Sequence, residues 1–204
     1  MPQKRFGSHD STGRKLDVIA TYLEMYQKAL SRRTFETIYI DAFAGSGEIP
    51  IGETKSGLLD EDEEAKTVLV GSAVRAVAVD PPFSRYVFID KREKCIRALR
   101  QRLEDNENFA RIEFQGGDAN ALVQAFCGRG EWRSRRGVVL LDPFGSQVAW
   151  ATVEAVAATR ALGSVDIHVG DLGRLLRRQF SGSRHASPEA GSTPETSLVS
   201  GARV

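Results

Sequence analysis

Thr37-Ile-Tyr-Ile-Asp-Ala-Phe-Ala-Gly-Ser-Gly47 is the stretch that decides the reading of this chain. A short apolar run, Ile38 to Ile40, ends at Asp41 and breaks at once into the small-residue turn Ala44-Gly45-Ser46-Gly47. A parallel strand delivers its carboxyl end to a ligand in this way. Glycines there let backbone approach the ligand, because no Cβ stands between them. Asp41 reads as a fixed acceptor for polar groups of a nucleoside. Phe43 reads equally as core or as a wall of the same site.

Working outward, Leu16, Ile19, Ala20, Leu23, Tyr26 and Leu30 recur at helical spacing, which predicts a long amphipathic helix behind polar, loose residues 1–13. Ser11 or Thr12 would cap it. Residues 48–70 read as an insertion, with the acidic run Asp60-Glu-Asp-Glu-Glu64 as a solvated segment. A short helix near Gly71 to Val79 is stopped by Pro81-Pro82. Three further strands follow: Arg85 to Asp90, Arg111 to Gln115, and Gly137 to Asp142. Helical patterns through Cys95, Ile96, Leu99 and Leu103, then Leu122, Ala125 and Phe126, then Ala149, Val153, Val156 and Ala157 separate and follow them. Residues 128–136 read as a basic loop. Strand and helix alternate throughout, which predicts an α/β fold: a doubly wound, mostly parallel, Rossmann-like sheet over residues 14–162.

Composition narrows the function classes. Hydrophobic residues are 41% of 204, enough for one domain with a core. The net charge of +1 argues against a strongly basic nucleic-acid wrapper. No apolar run approaches the ~20 residues that span a bilayer, and no secretory signal follows Met1, so a cytoplasmic protein without membrane contact is expected. Cys95 and Cys127 read as buried reduced thiols, and the scattered His9, His168 and His185 predict no metal site.

In a sheet of this kind the ligand lies outside the carboxyl ends of the strands. Asp41, Asp90, Asp118 and Asp142 all stand at such ends. Asp90 would take the ribose hydroxyls of an adenosine, Asp118 with Ala119 its adenine amine, and Asp142 would lie beside the reacting group. A dinucleotide enzyme would carry a third glycine in the turn and an acid ~20 residues later. Here the third glycine is missing and Asp90 is much farther on, so the ordered acids favour S-adenosylmethionine. Each has a structural reading beside it. Asp90 and Asp118 could cap the helices that follow them, and Lys15 is by default a solvated helix charge.

Together, Tyr39 to Glu48, Phe88-Ile-Asp90, Gly117-Asp-Ala-Asn120 and Leu141-Asp-Pro-Phe144 resemble a class I methyltransferase. More narrowly, the chain resembles the bacterial three-Cys-motif partner proteins (TcmP). Ser11 or Thr12 through Lys15-Leu16, Gly71-Ser72-Ala73, and Gln147-Val-Ala-Trp-Ala-Thr152 carry that resemblance over roughly residues 6 to 162. It implies a methyltransferase-like fold, S-adenosylmethionine as cofactor, and a three-Cys-motif protein as partner. It puts Lys15, Asp41, Phe43, Ala44, Gly45, Ser46, Gly47, Asp90, Asp118 and Ala119 at the cofactor, and Asp142, Pro143 and Phe144 at the chemistry. Asp142 would accept a hydrogen bond from a target amine while Phe144 stacks on a base. The alternative is a non-catalytic scaffold that binds the three-Cys-motif partner.

Two features stand apart. Asp80-Pro-Pro-Phe83 matches the amino-methyltransferase motif more fully than Asp142-Pro-Phe144 does, but it precedes a strand instead of ending one and reads as a helix stop. The arginines of the 128–136 loop could touch nucleic-acid phosphate, although a solvated loop is the default. After Leu162 the periodicity stops, and Ser181 to Val204 is rich in Ser, Gly, Pro and Thr. Residues 163–204 are therefore expected to be a disordered or out-of-frame tail, leaving the sheet incomplete on its C-terminal side and the enzyme truncated.

Overall fold

A computed structural model describes residues 8–50, 68–129, 132–143 and 147–159, with side chains from Thr12 onward. Helix α1 (Ser8–Leu30) leads into strand β1 (Glu36–Asp41). The short strands β2 (Glu48–Pro50) and β3 (Val68–Val70) precede α2 (Ser72–Val77). Strand β4 (Arg85–Asp90), α3 (Glu93–Leu103), β5 (Ile112–Gly116), α4 (Ala119–Arg129), β6 (Arg135–Leu140) and α5 (Trp150–Ala158) complete the order.

β5, β4, β1 and β6 form one four-stranded sheet in that order, and every pairing is parallel. The chain order of these strands is therefore 3-2-1-4, which reverses direction at β1 and defines a doubly wound α/β sheet. Alternate residues of each strand feed opposite faces. Tyr39, Tyr86, Phe88, Val138 and Leu140 pack with Leu23, Ala73, Ala76, Leu99 and Leu103, on the side of α1, α2 and α3. Ile38, Ile40, Val87, Ile89, Val139 and Leu141 pack with Val123, Cys127, Val153 and Val156, on the side of α4 and α5. β1 and β4 are buried on both faces, which explains why they read as continuous apolar runs.

The aromatic side of the core is a chain of rings. Tyr39 lies 5.6 Å from Phe83, and Phe83 lies 5.7 Å from Tyr86. Phe83 thus belongs to the core, in line with the structural reading of the Asp80-Pro-Pro-Phe83 segment. In α3, Cys95, Ile96, Leu99 and Leu103 form one buried stripe. Fully burying Leu99 contributes about 2 kcal/mol.

Several boundaries differ from the sequence reading, and β6 ends at Leu140, two residues before Asp142. α1 begins at Ser8, ahead of Ser11 and Thr12, so neither starts the helix and residues 8–13 are not loose. The insertion contributes an antiparallel pair, with Glu48 opposite Val70, while the acidic run lies outside the described residues. β6 starts at Arg135, so Arg135 and Arg136 are strand residues facing Glu36 and Thr37 instead of loop residues. Residues 163–204 also lie outside the described residues. No described helix is long and apolar enough to cross a membrane, and no metal-binding group of His, Cys, Asp and Glu occurs among the described residues.

Candidate functional site

The turn after β1 is built by glycine. Gly45 (φ +63°) and Gly47 (φ +82°) occupy the left-handed region, which other residues enter at a cost of about 1–2 kcal/mol. A Cβ on Gly47 would meet Leu99 Cδ1 and Val74 Cγ2 at 2.9 Å. The Gly71 amide donates to the Gly47 carbonyl at 2.9 Å, and a Cβ on Gly71 would press on Gly47 backbone at 3.1 Å. The Gly71-Ser72-Ala73 segment is thus a backbone seat for the turn.

That seat places Ser72 against Asp41. Ser72 Oγ donates to Asp41 Oδ2 at 2.5 Å, and the Phe43 amide donates to Oδ1 at 3.1 Å. The Asp41 carboxyl is buried and is not part of the cleft wall. Each carboxyl oxygen thus accepts one hydrogen bond that shapes the turn. Burial pushes its pKa up to about 6. The Ser72 and Phe43 hydrogen bonds oppose that rise, and the charges of Asp142 and Asp90 add to it. Tyr39, on the same strand face, has a buried hydroxyl without a hydrogen-bond partner among the described residues. Burial, then Asp41 and Asp142, raise its pKa well above the usual phenol value.

A cleft of about 350 Å³ opens at the carboxyl ends of β1, β4 and β5, lined by Phe43, Gly45, Asp90, Asp118, Ala119 and Asn120 among others. Asp90 forms one side of it. Its Oδ2 accepts the Gly45 amide at 3.0 Å and its Oδ1 accepts the Arg92 amide at 2.8 Å. The exposed Arg92 side chain adds Nε to Oδ1 at 3.2 Å and a terminal nitrogen to Oδ2 at 3.3 Å. Asp118 follows β5, and its Oδ1 accepts the Ala121 amide at 3.0 Å, so it caps α4 while also lining the cleft. For Asp118 the capping reading and the cleft reading hold together; Asp90 lines the cleft but does not cap α3, whose N-cap residue is Arg92 and has no side-chain cap hydrogen bond. Asn120 fixes the far wall: its amide donates to the Gln147 carbonyl at 2.9 Å, and its Oδ1 accepts from the Ala149 amide and from Thr152 Oγ1, each at 2.8 Å.

Of the residues assigned from sequence, Phe43, Gly45, Asp90, Asp118 and Ala119 meet in this cleft. Ala44 is buried behind it, its amide donating to the Ile89 carbonyl at 2.9 Å. Ser46 turns back to the Glu48 carbonyl at 3.5 Å. Lys15 does not line the cleft. Its Nζ reaches 2.5 Å from Asp142 Oδ1 in a partly buried ion pair that ties α1 to the end of β6. Pro143 follows Asp142, and Phe144 lies outside the described residues. Sequence reasoning missed Arg92, Lys91 and Gln147 as cleft residues. A cation two places after a strand-end acid was the available signal for Arg92. It also missed what Ser72 does, which depends on a backbone contact between segments distant in the chain.

No family model matches the chain, and no curated protein aligns with it. Solved structures match part of the chain. Protein LPL1258 from Legionella pneumophila is 12% identical over 71% of this chain and 62% of its own, with a TM-score of 0.46. A methyltransferase from Geobacter sulfurreducens is 14% identical over 77% and 66%, with a TM-score of 0.41. A conserved hypothetical protein from Streptococcus pyogenes is 21% identical over 66% and 67%, with a TM-score of 0.39. The chain thus spans less than two thirds of the Legionella protein's length.

Proposed function

We propose that the chain is an S-adenosylmethionine-dependent methyltransferase whose cofactor lies in the cleft between the Gly45 turn, Asp90 and Asp118. The observation that carries this reading is the Asp90 carboxylate held by the Gly45 amide on the floor of a cleft large enough for a nucleoside. A carboxylate offers about four acceptor positions. Backbone amides of Gly45 and Arg92 take two, and the Arg92 guanidinium takes the others. A ribose diol fits where that guanidinium now sits, since the exposed side chain can swing into water while the amides keep the carboxylate aimed. Asp118 stands across from the glycine turn, where an adenine amine could reach it.

Bound there, the cofactor supplies an electrophilic methyl group, and the protein's task is to hold it in line with an acceptor. Asp142 lies two residues past the end of β6 and is the acid placed to receive a hydrogen bond from an acceptor amine, such as that of a nucleic-acid base. Lys15 occupies Asp142 in the meantime, and an incoming amine would replace it. The sequence resemblance to three-Cys-motif partner proteins supports the same class, and it suggests a three-Cys-motif protein as partner, to be checked by co-purification.

Titration calorimetry with S-adenosylmethionine tests the cofactor. Asp90→Ala should weaken binding at least about tenfold, the scale of losing hydrogen bonds to a charged acceptor, while circular dichroism remains that of a folded α/β protein. Undiminished binding in that variant overturns the assignment. Asp142→Ala should leave binding intact and abolish methyl transfer.

A further inference from the structure

The amino ends of the same strands carry a second concavity. A cavity of about 210 Å³ opens there between the starts of β4 and β6, the length of β5 from Glu113 to Gln115, and the end of α4. Arg85, Arg129 and Arg135 line it, together with Glu113, Gln115 and Phe126. Arg85 lies over the Phe126 ring at 5.3 Å from its centre and pairs with Glu113. Arg135 Nε donates to Glu36 Oε2 at 2.7 Å. Arg129 gives its Nε to the Ala125 carbonyl at 3.0 Å, and no carboxylate lies within ion-pair distance of it among the described residues.

Charge distribution gives this cavity a meaning. Over the whole chain 28 basic residues nearly cancel 27 acidic ones. At this edge the balance fails. Arg136 sits 3.9 Å over the Phe35 ring, Arg133 stands in the turn before β6, and Arg32 and Arg33 stand in the turn before β1. Glu36 pairs with Arg135, and Glu113 pairs with Arg85 and also feels the charge of Arg129, so two carboxylates face three cavity arginines and these neighbours. Three guanidiniums against one lining carboxylate leave the cavity net positive, and a net positive concavity concentrates anions. A guanidinium has five donors in a planar fork, so one carboxylate does not exhaust it, and its remaining edge matches two oxygens of a phosphate. The ring beneath Arg85 and the pairing of Arg135 hold two of the forks in place.

We propose that this cavity binds a phosphate group presented by a nucleic-acid backbone, with Arg85, Arg129 and Arg135 as its donors. Its lining shares no residue with that of the cleft. The proposal therefore stands or falls separately from the methyltransferase reading.

The full chain is titrated with inorganic phosphate by calorimetry, and with a fluorescein-labelled single-stranded RNA by anisotropy at several salt concentrations. RNA affinity should fall linearly with the logarithm of salt. Arg129→Gln with Arg135→Gln should lower it at least tenfold at low salt and flatten the slope by roughly 1.4, about 0.7 for each lost contact. Glu113→Gln should raise affinity severalfold, because it removes the competing acid. Were Glu113 only a structural partner of Arg85, that variant would lower the melting temperature and leave affinity unchanged. Arginine-dependent binding of RNA with weak phosphate binding identifies a strand backbone as the source. Arginine-dependent binding of phosphate alone keeps the phosphate chemistry and transfers it to a free anion. If neither ligand binds, or if binding ignores all of these substitutions in variants whose circular dichroism is native, the proposal is wrong.

Discussion

The two ends of one sheet are built on different principles. At the carboxyl end the turn backbone is fixed by Gly45, Gly47 and Gly71, and the Asp41 carboxyl is buried beneath it. At the amino end the same strands finish in long arginine side chains, half in solvent, paired with Glu36 and Glu113. A glycine turn cannot relax around a new atom, whereas an exposed ion pair is readily re-solvated. The carboxyl end should thus tolerate change poorly and the amino end should tolerate it well, although both are lined by charged groups.

Gly47 and Asp41 carry the two largest expected effects. Gly47→Ala combines a left-handed φ with a close approach to Leu99 and Val74 and should cost about 2–3 kcal/mol in urea denaturation. A loss below 0.5 kcal/mol, an illustrative threshold of about the noise in such measurements, breaks the comparison at its strongest point.

Next is Asp41, through pH. Its carboxyl titrates near 6 in the folded protein against an ordinary 3.8, so between those values the folded state holds a proton that the unfolded state has lost. The contribution of this group to stability is present below the unfolded value, falls as pH rises toward 6, and then levels off. The shift corresponds to something on the order of 3 kcal/mol at neutral pH. Asp41→Asn should remove this component. Relative to the parent protein, the variant should be more stable at pH 7 than at pH 4.5, as read from melts at the two values. Equal differences at both would show that Asp41 is ionised without penalty.

Arg92 sharpens the contrast, because it is an exposed cation at the rigid end. Arg92→Ala should change stability by less than about 1 kcal/mol. It should tighten S-adenosylmethionine binding severalfold in calorimetry, since the guanidinium occupies acceptor positions that a ribose needs. Weaker binding would mean that the guanidinium supports the ligand instead of competing with it.

The smallest effect belongs to the amino end. Arg85→Gln breaks a pair whose partners are each more than a third exposed and should cost about 0.5 kcal/mol or less in the same denaturation assay. A loss as large as that at Gly47 would erase the difference between the two ends.

Much of this was legible in the chain itself. The four parallel strands, the helices between them and the acids at their ends follow from apolar runs that stop at Asp41, Asp90 and Asp142. These are local signals, because a strand buried on both faces must be apolar along its length. The glycines after β1 were legible for the same reason: a sharp turn restricts its own residues.

Partnership was decided elsewhere. Whether a strand-end acid faces a cleft or the core depends on what the rest of the chain places beside it. Asp41 and Asp90 look alike in sequence, yet Ser72 closes over one and the other opens to the cleft. Lys15 finds Asp142 across 127 positions. The arginines gather at one edge because parallel strands bring all their starting residues to the same side. Sequence therefore determined the elements and the inventory of charged groups. Tertiary structure alone determined which of those groups share a dielectric environment, and that sets their pairing and their titration.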